Sequence, residues 1–314
     1  MVWDSTPWLV GGGAEHSPEV ARLILYAAAN GAGGIVLPAD LKVNALGVPA
    51  GQVTVGAGAA LLLNPGGTHQ TYAGRNPTLD YVDIPAQGAA GPRRDLIVAR
   101  VMDPQYNGPV PPDPRNFQYM QSFRVPNVPA GTDNASDLNL GFPAVALARL
   151  EIPANTAVIT NSMIVDVRQV AVPREHRVVQ SYNINGSYVA PGAVFADWPG
   201  WEPVVRVPAW ATHMNVQATL GSVLAPAGDS TGEFRVLYGT AASRVAPYDF
   251  SNPASGAAST TRETLMTVFD FDVRAQQGNL LILRMQARST STPRLTTRPN
   301  SFVIYDTQFF EQAI

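Results

Sequence analysis

The 314-residue sequence predicts a mainly β protein: a small N-terminal β-rich module with one helix, followed by an antiparallel β-sandwich of jelly-roll-like type. Three observations predict it. Only one segment has convincing helical periodicity, and apolar and polar residues alternate with period two through many short runs. Gly and Pro, 27 of each, punctuate those runs.

The helix is SPEVARLILYAAAN at 17–30. Ser17 fits the N-cap, Pro18 the first helical position, Glu19 the first turn and Gly31 the stop. Val20, Leu23, Ile24 and Ala27 recur at i, i+3, i+4 and i+7 and predict one buried stripe. After GAGG at 31–34 come short β-rich runs, GIVLPADLKVNAL and then QVTVGAGAALLLN at 52–64. In TLDYVDIP at 78–85, Leu79, Tyr81 and Asp83 face away from Asp80, Val82 and Ile84. These runs predict a small antiparallel or mixed sheet.

DLIVARV at 95–101 is nearly all apolar and predicts a central strand covered on both faces or a barrel strand. The Pro-rich insertion at 104–144 is largely excluded from a sheet interior, although FQYMQSFRVP at 117–126 has strand character. VALARLEIP at 145–153 and AVITNSMIVDVR at 157–168 resume it. The N-terminal module is thus placed at 1–175, a connector at 176–184 and the sandwich at 185–314. The sandwich reads as six or more strands, among them HMNVQATLGSVL, NLLILRMQARST and SFVIYDTQFFEQ. In ETLMTVFDFDV, Leu265, Thr267, Phe269 and Phe271 alternate with Met266, Val268, Asp270 and Asp272, as in a sheet with one wet face.

Charged residues make up 14% of the chain, against roughly 25% in an average soluble protein. A net charge of -3 provides no long positive field, so nucleic-acid binding is not expected. There is no cysteine, which removes disulfides, thiol nucleophiles and Cys-based metal sites. No basic region precedes an apolar run at the N-terminus and no long apolar window follows, so neither a signal peptide nor membrane insertion is expected. Lys is nearly absent. The outer strand faces carry Thr, Ser, Gln and Arg, a surface suited to packing around a symmetry axis or to hydrogen bonding with sugars.

His16, His69, His176 and His213 lie far apart without H-x-H or H-x-x-x-H spacing, and neither metal nor cofactor is expected. His69, in GGTHQTYAGRN, reads as an exposed turn residue. Carboxylates pair at Asp80/Asp83 and Asp270/Asp272. The second pair shares one side of a strand, where it could bind calcium or serve as acid and base, but it reads better as a solvated face. GGG at 11–13 and GAGG lack a following GK[ST], and GTAAS at 239–243 lacks G-x-S-x-G. Trp198 and Trp201, around a Pro-Gly turn, could form a stacking platform for a sugar ring, flanked by Asp197 and Glu202 as acceptors. The plainer alternative is a single Trp anchoring the start of the sandwich against the connector, which nearby Trp210 supports.

RRDLIVARVMD at 93–103, the Pro-rich interruption and ALARLEIPANTAVITNSMIVDVRQ at 146–169 together resemble the minor tail and upper-baseplate proteins of long-tailed bacteriophages, especially those of actinobacteria. The matching positions are Arg94, Asp95, Leu96, Ile97, Val98, Arg100 and Val101, then Leu147, Ala148, Arg149, Leu150, Ile152, Pro153, Ile159, Asp166 and Arg168. SPEVARLILYAAANGAGGIV and the Trp-rich leader are similar to the same module, so the resemblance covers roughly residues 1–170. It implies a non-enzymatic structural subunit of the virion tail tip that assembles with other phage tail proteins, as a homo-oligomer with a trimer favoured. Asp95 and Asp166 are expected to orient Arg94 and Arg168 through short ion pairs; the long insertion at 104–144 departs from the family pattern and is expected to wrap a neighbour. For the sandwich the resemblance is looser and implies contact with the host surface or a host glycan through several weak sites. The alternatives are a virion-associated cell-wall or glycan hydrolase using Asp270 or Asp272, and a purely structural assembly or decoration module.

Overall fold

Ser17 opens the helix as its spacing predicts: α1 runs Pro18–Ala28, and the Ser17 hydroxyl accepts from the Val20 N–H at 3.5 Å. This computed structural model describes residues 17–65, 69–106, 108–113, 116–239, 241–242, 244–253 and 261–314. The Trp-rich leader, GGG at 11–13, His16 and residues 66–68 of the predicted turn lie outside them. The buried face of α1 differs from the expected stripe. Leu23 is exposed and Arg22 is buried, because its guanidinium is engaged on every side: Nε donates to Gln70 at 2.6 Å, Nη1 to Asp103 at 3.1 Å and Nη2 to Gln105 at 2.7 Å. It also lies 5.0 Å from the Tyr72 ring centre. A satisfied cation anchors this helix where an apolar stripe was predicted.

Ten strands follow: β1 (Gly34–Ile35), β2 (Val43–Ala45), β3 (Gln52–Val55), β4 (Gly58–Leu63), β5 (Thr71–Asn76), β6 (Asp80–Asp83), β7 (Arg93–Val101), β8 (Met120–Val125), β9 (Ala144–Ile152) and β10 (Ile164–Asp166). They form three antiparallel sheets, ordered β1-β4-β5, β2-β3-β6 and β10-β9-β7-β8. Residues from all three, among them Ile35, Val53, Leu62, Ile97 and Leu147, share one core. Alternation sorts β6 as read from sequence, with Val82 and Ile84 buried and Leu79 and Tyr81 exposed.

β7 is the covered central strand. Ile97, Ala99 and Val101 face the main core, and Leu96 and Val98 face a second, small one with Val128, Ala135, Leu138 and Leu140. Those last four come from the Pro-rich insertion, so part of its apolar surface covers its own sheet, while Val110 stays exposed. Each side chain fully enclosed this way contributes about 1.5–3 kcal/mol of transfer free energy. The 157–168 run yields only the three residues of β10, after a 3-10 turn at Asn161–Met163.

The chain divides into two units at Pro173/Arg174. The second spans Arg174–Glu311, while Gln312–Ile314 belong again to the first. Its strands are β11 (Glu175–Asn183), β12 (Ala196–Asp197), β13 (Val204–Arg206), β14 (His213–Ala225), β15 (Gly228–Tyr238), β16 (Ala241–Ala242), β17 (Ala246–Asn252), β18 (Thr261–Asp272), β19 (Leu280–Ser289) and β20 (Phe302–Phe310). The stretch 176–184, expected to be a connector, is therefore almost all strand. Residues Glu175–Asn183 pair in unbroken register with β20, and that main-chain ladder outweighs their weakly apolar sequence.

One sheet has the order β11-β20-β14-β18; in the other, β12 and β13 both pair with β19, followed by β15 and β17. Counting β12 and β13 as one strand and setting aside short β16, the orders are 1-8-3-6 and 2-7-4-5, the topology of an eight-stranded jelly roll. Met214, Val216, Ala218 and Leu220 of β14 point inward with Phe234, Val236, Leu265, Phe271, Leu283 and Met285. Met266 and Val268 lie on the exposed side of β18, together with Asp270 and Asp272.

Candidate functional site

Pro199 and Gly200, the latter at φ +93°, turn the chain between two indoles that end in different surroundings. Trp198 is buried at 2% exposure, and its Nε1–H donates to the Tyr188 carbonyl at 2.9 Å. This corrects the predicted two-Trp platform, because an indole enclosed in the core offers no face to a sugar. Trp201 is partly buried. It stacks on Tyr182 of β11 at 5.4 Å and lies tilted 5.6 Å from Tyr305 of β20. Asp197 accepts from Gln286 at 2.9 Å, and Glu202 is exposed. Burial first, and then the Asp197 and Glu202 carboxylates, push the Tyr305 phenol up. Trp201, Asp197 and Glu202 thus gather around Tyr305, while Trp198 belongs to the core. Tyr182 and Tyr305 escaped sequence reasoning because only strand pairing, about 120 residues apart in the chain, brings them to Trp201.

The motif residues of the first unit form a framework. Asp95 is wholly buried and accepts from Arg93 at 3.0 Å, Arg124 at 3.1 Å and the Asn127 N–H at 3.1 Å. Its expected partner, Arg94, instead donates to Glu151 at 2.8 Å, since adjacent strand residues point to opposite faces. Asp166 and Arg168, two apart, do pair, at 2.6 and 2.9 Å. Burial opposes ionisation of Asp166, yet the hydrogen bonds and charge of Arg168 outweigh it and hold the carboxyl below its usual range. Arg168 also donates to the main-chain oxygens of Asp40 and Ile314, both at 2.6 Å. Arg100 lies 3.5 Å over the Phe123 ring, Arg149 pairs with Glu151 and Asp133, and exposed Pro153 follows the end of β9. A cavity of about 580 Å³ beside this framework is walled by groups such as Leu61, Leu63, Leu138, Leu140 and Phe142, and none of its described lining residues titrates.

The paired carboxylates take up separate tasks. Asp270 accepts from Asn215 at 2.7 Å. Asp272 is brought down to about 2, chiefly by side-chain hydrogen bonds from Arg274. A glycosidase acid needs the opposite, a raised pKa. Asp80 and Asp83 sit three apart on β6 and so face opposite ways. His69 is exposed and meets Tyr26 edge-on at 5.2 Å. Among the described residues no group of three or more His, Asp or Glu could hold a metal ion, and no helix is long and apolar enough to cross a membrane.

Strand order thus defines the class of the second unit, an antiparallel jelly-roll sandwich. No family model and no curated protein matches the chain. Among solved structures, it is similar to infectious bursal disease virus, Gt strain, at 14% identity over 90% of this chain and 72% of that one, with a TM-score of 0.26. A VP2 subviral particle of the same virus aligns at 10% identity over 95% and 83%, TM-score 0.24. An insecticidal delta-endotoxin of Bacillus thuringiensis aligns at 10% over 90% and 52%, TM-score 0.19. The jelly-roll assignment rests on the strand pairing alone.

Proposed function

We propose that this chain is a non-enzymatic structural subunit of a virus particle, a minor tail protein at the tail tip of a long-tailed bacteriophage. The first unit mounts it among other tail proteins, and the jelly roll meets the host surface. One observation carries the reading: three charged residues of the tail-protein-like motif are held in ion pairs, buried Asp95 by Arg93 and Arg124 and buried Arg168 by Asp166, and the jelly roll is an insertion in the sequence of the unit that contains them. Rigid mounting plus a broad exposed sandwich suits a machine part better than a reaction vessel. Closed rotational symmetry is the usual form for repeated subunits, and a trimer is favoured.

The test has two readouts. Light scattering of the purified protein should give about 100 kDa, three times the chain mass of 33.4 kDa. Antibody against residues 185–314 should label one end of the tail in micrographs of the particle that carries it. Labelling of heads, or absence from purified particles, refutes the proposal.

A further inference from the structure

The pairing of β11, β20, β14 and β18 lays polar side chains in rows across the outer face of that sheet. One row holds Arg177, Gln308, Asn215 and Asp270; the next holds Asp306 and Gln217 flanked by the exposed Val179 and Val268. Adjacent strands are about 4.8 Å apart and alternate residues about 7 Å apart, so these heads cover a patch of about 14 by 7 Å. A shallow hollow of about 450 Å³ lies over Arg177, Asn215, Gln217, Asp306 and Gln308.

Neighbours hold several of these groups in place. Arg177 Nε donates to Asp306 at 2.8 Å, Asn215 to Asp270 at 2.7 Å, and Gln308 to Glu175 at 3.3 Å. The Gln217 amide donates only to the Met266 sulfur at 3.5 Å, a weak acceptor. Among the described residues, no donor occupies the amide oxygens of Asn215, Gln217 and Gln308. Each amide therefore keeps capacity for a ligand group that both donates and accepts, as a sugar hydroxyl does. At the border, Phe310 stacked on His213 at 5.7 Å offers apolar ring surface for the C–H face of a sugar. Glu175, Asp270 and Asp306 outnumber Arg177 here, which disfavours acidic glycans and phosphates.

We infer that this outer sheet face, and not the Trp198–Trp201 turn, binds a neutral oligosaccharide. The inference rests on the host-surface reading above and gives it a site and a ligand class. Each contact is weak, and several copies held together supply the avidity.

The full-length protein, in the oligomeric state in which it purifies, is tested against immobilised neutral mannan, galactan and glucan, with polygalacturonate as the acidic counterpart. At least one neutral polysaccharide should be retained. The double variant Gln217→Thr/Gln308→Thr, which keeps β-forming residues, should weaken that binding at least tenfold with an unchanged melting point. Val204→Thr on the other sheet should leave it intact. Should the double variant melt lower, the isosteric Gln217→Glu must show the loss by itself. Retention of binding by both amide variants, preference for polygalacturonate, or failure to bind all three neutral polysaccharides overturns the inference. If the protein still labels the tail tip and adheres to host cells in those cases, the tail-tip reading stands and only the sugar face falls.

Discussion

Removing the Arg174 side chain tests how the jelly roll is closed where the chain enters and leaves it. Glu311 is 4% exposed; its carboxylate accepts Arg174 Nε at 2.9 Å and the Arg174 main-chain N–H at 3.3 Å. The Arg174 side chain is half exposed and lies 5.4 Å from the Trp210 ring. Stripping one partner from a fully buried pair costs about 3–5 kcal/mol, and an exposed pair is worth about 0–1. With one side open to water, Arg174→Ala should cost about 2 kcal/mol. For a unit of about 140 residues, that lowers the melting midpoint by about 6–8 °C. The sign with pH follows from Arg174, whose side-chain hydrogen bonds hold the Glu311 carboxyl below its ordinary value of 4.5. A depressed folded pKa gives stabilisation that is complete above the unfolded value and is lost as pH falls through the folded one. Scanning calorimetry of parent and variant should therefore show a wide gap at pH 7 and a narrower one at pH 3. Equal gaps at both pH values, or none at pH 7, would refute the reasoning.

Trp198→Ala should cost about 3–5 kcal/mol by leaving a core cavity, and Trp201→Ala clearly less; denaturant titration of both decides, and equal losses would contradict their different burial. Arg168→Ala should cost about 3 kcal/mol, since it strands Asp166 and two main-chain acceptors, whereas Asp166→Ala should cost about 1–2, because Arg168 keeps those main-chain oxygens. A variant at 166 as stable as the parent would argue against a structural pair. Purified host cell wall incubated with the protein should release no reducing ends. Release that disappears in Asp270→Asn or Asp272→Asn would establish the hydrolase alternative.

Periodicity made most of the fold legible. β6, β7 and β18 sort their residues as alternation predicts, because each has one or both faces against a core and a slip of one residue would reverse burial. The helix cap was legible at Ser17 for the same local reason. Its buried face was not, because Arg22 is held by Gln70, Asp103 and Gln105, partners up to 83 residues away. β11 was hidden too: an edge strand with little apolar content is specified by the ladder its partner offers. The same limit governs the candidate sites. A Trp-Pro-Gly-Trp turn is conspicuous in sequence, while Asn215, Gln217 and Gln308 become a patch only once β14 and β20 lie side by side.

Ile314 donates its N–H to the Pro38 carbonyl at 3.0 Å and accepts from Arg168, so the first unit is completed by residues made after the whole jelly roll. On the ribosome the usual succession of domains, N-terminal before C-terminal, cannot hold strictly. The contacts of Ile314 with Pro38 and Arg168 can form only after residues 174–311 have been synthesised.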